Sequence, residues 1–190
     1  MTADSSTLFW ITSRAAGTTA MVLSSAAVGV GLTMGGRLIK RGAPERRVVH
    51  EILALSVVVA VAVHALALLG DSYFHPSLIG LTVPFFASYD TLYTAIGIVA
   101  GWGLIILGLS FYARKRIGIN RWKVIHRFTA VAWLLGLVHS LTEGTDAGRI
   151  WFVALILGTA APALVLLALR LRRRRRPVLI HDERVSVMVR

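Results

Sequence analysis

Five stretches of this chain are each long and apolar enough to cross a lipid bilayer. They run from about Ala15 to Met34, Val48 to Leu69, Thr91 to Tyr112, Lys123 to Leu141 and Ile150 to Leu169. Roughly 20 apolar residues cover the hydrocarbon core as a helix, and lipid admits only structures that satisfy their own backbone hydrogen bonds. The expected fold is therefore all-α: an integral membrane helical bundle of about five transmembrane helices. Hydrophobic residues make up 56% of the chain and charged residues 16%, which excludes a disordered protein and fits no ordinary soluble domain. The spans use over half of the 190 residues. Residues 1–171 read as the bundle and residues 172–190 as a basic tail, so no flavin or nicotinamide domain fits. Gly29, Gly31 and Gly35 have the wrong spacing for a dinucleotide fingerprint and follow no strand. No basic residue precedes Arg14 and no cleavage motif follows a short apolar core, so a signal peptide is not expected.

Charge sets the expected orientation. The loop Gly36–Arg47 carries Arg37, Lys40, Arg41, Arg46 and Arg47. The loop Ala113–Lys123 carries Arg114, Lys115, Arg116, Arg121 and Lys123, and the tail opens with Arg170 and the run from Arg172 to Arg176. The positive-inside rule makes these three regions cytoplasmic, with the amino terminus outside and the carboxyl terminus cytoplasmic. The other side carries Asp4, Asp71, Asp90, Glu143 and Asp146, with Arg14 and Arg149 as its basic residues. The net charge of +12 thus reads as topogenic and as an affinity for anionic membrane lipid, not as a nucleic-acid site. A multi-pass protein of the plasma membrane is expected.

The chemistry-bearing residues are histidines. Cysteine is absent, which excludes thiolate-held iron–sulfur clusters, covalent haem and cysteine-ligated zinc. His50 and His64 lie in the second span; His126 and His139 lie in the fourth. An unpaired polar ring in hydrocarbon is costly, so an intramembrane histidine is a functional candidate by default. The 14-residue step from His50 to His64 covers roughly 21 Å and returns to within roughly 40° of the same helix face. The 13-residue step from His126 to His139 covers roughly 20 Å. Both spans run outward, so one imidazole from each reaches an inner level (His50, His126) and an outer level (His64, His139). Two opposed imidazoles suit the axial positions of a flat metal macrocycle and not zinc, which takes about four ligands in a tetrahedron. The reading is two b-type haems stacked across the membrane, their irons held by His50 with His126 and by His64 with His139.

Thirteen steps rotate a straight helix by roughly 140°, so the fourth span must tilt, twist or carry a local irregularity. Gly136 is the candidate place for close packing or a kink. Each second ring nitrogen needs an acceptor, and a carbonyl one turn earlier on the same helix is the expected one. Haem propionates need basic partners. Arg46, Arg47 and Arg127 are the inner candidates and Arg14 the outer one, each weighed against simple snorkelling to the interface. Trp133, midway between His126 and His139, reads as a packing residue rather than an electron relay. His75 and His181 read as incidental. The outer loop Gly70–Asp90 is partly apolar and is expected to lie on the membrane surface over the outer haem.

The pairs His50-x13-His64 and His126-x12-His139 in separate spans resemble the ferric-reductase-like transmembrane domain shared by ferric reductases and NADPH oxidases. The segments RWKVIHRFTAVAWLLGLVHSLTEGTD and HALALLGDSYFHPSLIGLTVPFFASYD resemble its stand-alone bacterial members. The similarity covers roughly Arg37 to Leu171. It implies a haem-bearing bundle that moves electrons across the membrane, with His50, His64, His126 and His139 as ligands. The FAD/NAD(P)H domain of the larger members is missing, so a separate donor, a cytosolic flavoprotein or quinol, is implied. Electrons would leave to an extracytoplasmic acceptor such as ferric iron, oxygen or a flavoprotein. The alternatives are a non-enzymatic haem-binding subunit or sensor, and a haem-free transporter using the histidines as proton relays. Glu51 is the lone acidic residue in the spans, which argues against the last.

Overall fold

A computed structural model describes residues 5–35, 43–71, 76–143 and 146–174. Arg37, Lys40, Arg41, His75, His181 and most of the basic tail lie outside the described residues. Within them the chain is helical and contains no strand. The helices are α1 (Ser5–Gly35), α2 (Ala43–Leu69), α3 (Leu78–Thr82), α4 (Thr91–Ile117), α5 (Ile119–His126), α6 (Thr129–Thr142) and α7 (Ile150–Arg174). Among the described residues five spans are long and apolar enough to cross a membrane: α1, α2, α4, α5 with α6, and α7. This is a multi-pass membrane protein.

Several helices outrun the apolar stretches that announce them. The first begins at Ser5, ten residues before Ala15, because Thr, Ser and Arg dilute the hydropathy of a turn that the backbone nonetheless continues. Arg14 therefore sits inside α1. It pairs with Asp146 from the α6–α7 connection and lies 4.2 Å over the Trp10 ring. Between α4 and α5 the chain reverses through Gly118 alone, at a φ of +90° that side chains other than glycine rarely adopt. The last turn of α4 carries Arg114, Lys115 and Arg116, favourable beside the negative end of the helix dipole.

Helix packing divides the bundle into two hairpins. One is α1 on α2 and the other is α4 on α5 and α6. The close packing core lies between α1, α6 and α7, around Met21, Val28, Trp133, Leu137, Ile156 and Ala160. Trp133 is fully buried there, and its Nε1 donates to Ser25 Oγ at 3.1 Å. It packs at the centre of that core. By contrast, α2 and α6 do not pack closely on each other, although α1 meets α6 and α2 meets α4 on either side. A slot is left between the two histidine-bearing helices.

The irregularity of the fourth span lies at Arg127–Phe128, between α5 and α6, and not at Gly136. An added Cβ at Gly136 would meet only ordinary contacts, Ala100 at 3.8 Å and Met21 Sδ at 3.9 Å. After His126 the backbone tightens. Arg127 N bonds Val124 O, Phe128 N bonds Ile125 O, Ala130 N bonds Arg127 O and Val131 N bonds Phe128 O, at 2.9–3.2 Å, all three residues back instead of four. A tightened residue turns about 120° and rises about 2.0 Å, against about 100° and about 1.5 Å in an α-helix. Four of them add about 80° and about 2 Å. Thirteen residues then return to within about 60° of one face over about 21 to 22 Å, matching the fourteen α-helical steps of α2.

On the far side of the loop after α2, α3 is a single turn whose Ser77 cap accepts from Gly80 N at 3.0 Å. Leu78 and Ile79 are exposed. Trp102 Nε1 of α4 donates to Thr82 O at 2.9 Å and ties α3 to the bundle.

Candidate functional site

The four histidines stand at two levels, one near the basic end of the bundle and one near the acidic end. At the basic level the rings of His50 (α2) and His126 (α5) face each other across the slot, centroids 6.1 Å apart and planes at 89°. At the acidic level His64 (α2) and His139 (α6) line one cavity of about 580 Å³. Its walls include Ser13, Arg14 and Gly17 of α1, Gly97 and Gly101 of α4, and Gly80 of α3. Phe86–Tyr89 complete it, so the apolar outer loop does cover this level. Among the described residues no group of three or more histidine, cysteine or carboxylate side chains could hold a bare metal ion.

All four rings are oriented in the same way. His50 Nδ1 lies 2.9 Å from Ala27 O, His64 Nδ1 2.8 Å from Ser13 O, His126 Nδ1 3.3 Å from Leu107 O, and His139 Nδ1 3.0 Å from Tyr93 O. A carbonyl can only accept, so each Nδ1 carries the proton and donates. The imidazoles are thereby fixed as the tautomer whose Nε2 holds a lone pair for a metal. The acceptors are not one turn back on the same helix, as expected from sequence. They come from the hairpin partner: α1 serves both histidines of α2, and α4 serves those of α5 and α6. An intrahelical carbonyl lies beneath the ring's own backbone, whereas a neighbouring helix presents its carbonyl edge to the ring.

The basic level fits a macrocycle clamped between its two imidazoles. Metal–nitrogen bonds of about 2.0 Å, with about 1.1 Å more from each nitrogen to its ring centre, would separate the two centroids by about 6 Å. The observed 6.1 Å at the basic level agrees.

The basic candidates are placed unevenly. Arg46 and Arg47 lie in the first two turns of α2, and Arg127 directly follows His126 and is exposed. Arg14 lines the acidic-level cavity, but its guanidinium is engaged with Asp146. Also on that wall, burial pushes the Glu143 carboxyl above its ordinary range, against the opposing hydrogen bond that Thr94 Oγ1 donates at 3.0 Å.

Sequence reasoning missed two sets of residues. Trp122 stacks on His126, centroids 4.9 Å apart at 25°, and its Nε1 donates to Ser110 Oγ at 3.0 Å. The i, i+4 spacing on one helix was the available signal. Gly17, Gly31 and Gly97 lie against the rings of His64, His50 and His139. Nothing local marks them, because each partner ring is over 15 residues away in the chain.

A family model described as ferric reductase-like transmembrane component matches residues 14–137, about two thirds of the chain. The chain belongs to the ferric reductase-like transmembrane component family. The match takes in α1 from Arg14 onward and three of the four histidines and ends two residues before His139, which shares its cavity with His64 and its manner of orientation with the other three. Neither a curated protein nor a solved structure matches the chain. Transmembrane electron transfer is the general activity of this family, and its domains generally bind haem.

Proposed function

We propose that this protein carries electrons across the plasma membrane through two b-type haems, each held by one histidine of α2 and one of the fourth span. His50 and His126 are the ligands at the basic, cytoplasmic level. His64 and His139 are the ligands at the acidic, outer level, with the amino terminus outside. The observation that carries this reading is the shared orientation of four imidazoles, each donating from Nδ1 to a backbone carbonyl of its hairpin partner. Proton relays would need no common tautomer.

Haem held by these histidines would supply one-electron redox chemistry. The chain's own residues hold the rings and keep Nε2 deprotonated. Arg46, Arg47 and Arg127 offer positive charge to carboxylates at the inner level, and Arg14 at the outer level. Electrons come from a separate donor, a cytosolic flavoprotein or quinol, and pass to an extracytoplasmic acceptor such as ferric iron, oxygen or a flavoprotein.

The test is a reduced-minus-oxidised absorption spectrum of the detergent-purified protein, with haem counted per chain. Two non-covalent b haems are expected. Replacing any one of the four histidines by alanine should leave one haem per chain, and survival of both in every variant would refute the ligand assignment.

A further inference from the structure

We propose that Gly17, Gly31 and Gly97 are positioning residues for the imidazoles, each opening the carbonyl that orients one histidine. The proposal rests on the two-haem reading above and concerns how the ligands are held.

Each of these glycines stands four residues after an acceptor carbonyl: Gly17 after Ser13, Gly31 after Ala27 and Gly97 after Tyr93. The spacing has a physical basis. In an α-helix the carbonyl of residue i accepts from the N–H of residue i+4 and keeps one further lone pair. The Cα–Cβ bond of residue i+4 tilts toward the amino terminus, so its side chain covers that lone pair. Without a side chain at i+4, a ring from the neighbouring helix can lie on the backbone and reach the carbonyl. An added Cβ would stand 2.5 Å from His139 Nδ1 at Gly97, 2.9 Å from His64 Nδ1 at Gly17 and 3.1 Å from His50 Cε1 at Gly31. The first two distances require the ring to move away from its acceptor.

The fourth histidine is the exception that supports the rule. Its acceptor is Leu107, and the residue four later is Phe111. Here the Nδ1 to carbonyl distance is the longest of the four, 3.3 Å against 2.8–3.0 Å. This ring also has a second support, the Trp122 indole stacked on it and held by Ser110. Phe111 is turned aside into a cluster with Trp122, Tyr112 and the Arg114 guanidinium.

The experiment purifies the full chain as single glycine-to-alanine variants, counts haem per chain and records the low-spin ferric electron paramagnetic resonance spectrum. Its two signals are assigned with the histidine variants. Gly97→Ala and Gly17→Ala should each hold one haem, the same one that survives replacement of His64. Gly31→Ala, where the ring needs to give only slightly, should hold two haems with a shifted inner signal alone. Gly29→Ala and Gly108→Ala are controls on the same two helices, where an added Cβ would meet nothing closer than 4.0 Å; both should match the wild type. Alanine is the better helix former, so a loss at the cradle positions cannot be ascribed to weakened helices. Two haems with wild-type spectra in Gly97→Ala and Gly17→Ala would overturn the proposal, as would equal losses in the controls. If those two variants lose both haems, Gly31→Ala decides: an unchanged inner signal overturns the proposal and a selective shift supports it. A wild-type protein without haem would instead overturn the two-haem reading together with this one.

Discussion

The Trp122 indole lies nearly parallel to the His126 imidazole, 4.9 Å between centroids, while the other ligand candidate at that level, His50, stands perpendicular to His126. The two inner rings are therefore held by different means: His50 by a carbonyl close at hand, His126 by a longer bond and an aromatic plate. An aromatic pair of this kind contributes about 0.5–1.5 kcal/mol beyond burial.

Replacing Trp122 by leucine should free the His126 ring to rotate. Both haems should be retained, and the inner ferric signal alone should broaden or shift. Trp122→Phe, which keeps a plate but loses the bond to Ser110, should fall between. An unchanged spectrum in Trp122→Leu would show that the Leu107 carbonyl alone fixes the ring.

Ser13 offers a contrast between side chain and backbone. Its Oγ lies 3.1 Å from His64 Nδ1 and donates to His64 O at 3.2 Å, while its carbonyl accepts from the ring. Ser13→Ala keeps the carbonyl. We expect both haems to remain, with thermal stability lowered by about 1 kcal/mol, the usual worth of one hydrogen bond. Loss of the outer haem would mean that the hydroxyl is the essential partner.

The fourth span should tolerate an insertion that the second does not. One alanine inserted after Phe128 converts the 13-residue spacing to 14, which a relaxed α-helix accommodates on the same face. One alanine inserted after Val57 converts 14 to 15 in a regular helix and turns His64 by about 100°. Haem counting should find two haems in the first variant and one in the second. Equal losses would show that the tightened turn at Arg127–Phe128 is needed for more than register.

Arg14 and Asp146 should tune the outer haem in opposite directions. Removing the positive charge with Arg14→Gln lowers the outer midpoint potential, because the ferric state gains charge relative to the ferrous one. Asp146→Asn releases Arg14 and raises it. Shifts of tens of millivolts are expected in redox titration, where about 59 mV corresponds to tenfold in a one-electron equilibrium. The pair is partly exposed, so its effect on stability should stay within about 1 kcal/mol. Shifts of the same sign would place neither group near the outer haem.

Much of this was legible in the sequence because hydropathy over 20 residues is a strong signal and histidine in a span is rare. The spans, the helical fold and the histidine pairs follow from that. The start of α1 at Ser5 was not legible, since Ser13 and Arg14 fall where the apolar stretch has not begun. The tightened turn after His126 showed itself only as a misfit of one residue. The cradle glycines were invisible for a different reason. Gly31 falls in a spacing that fails as a nucleotide motif, and its meaning depends on His50, a residue of the next helix.

Each imidazole is oriented within its own hairpin, α1 for α2 and α4 for α5 and α6, while α2 and α6 hardly touch. Each half therefore contains the carbonyls that aim its own two donor atoms. Neither half needs the other to prepare them. The halves also meet directly, through the core that α1 builds with α6 and α7, so two co-expressed fragments divided within residues 72–75 should assemble through that core even in cells that make no haem.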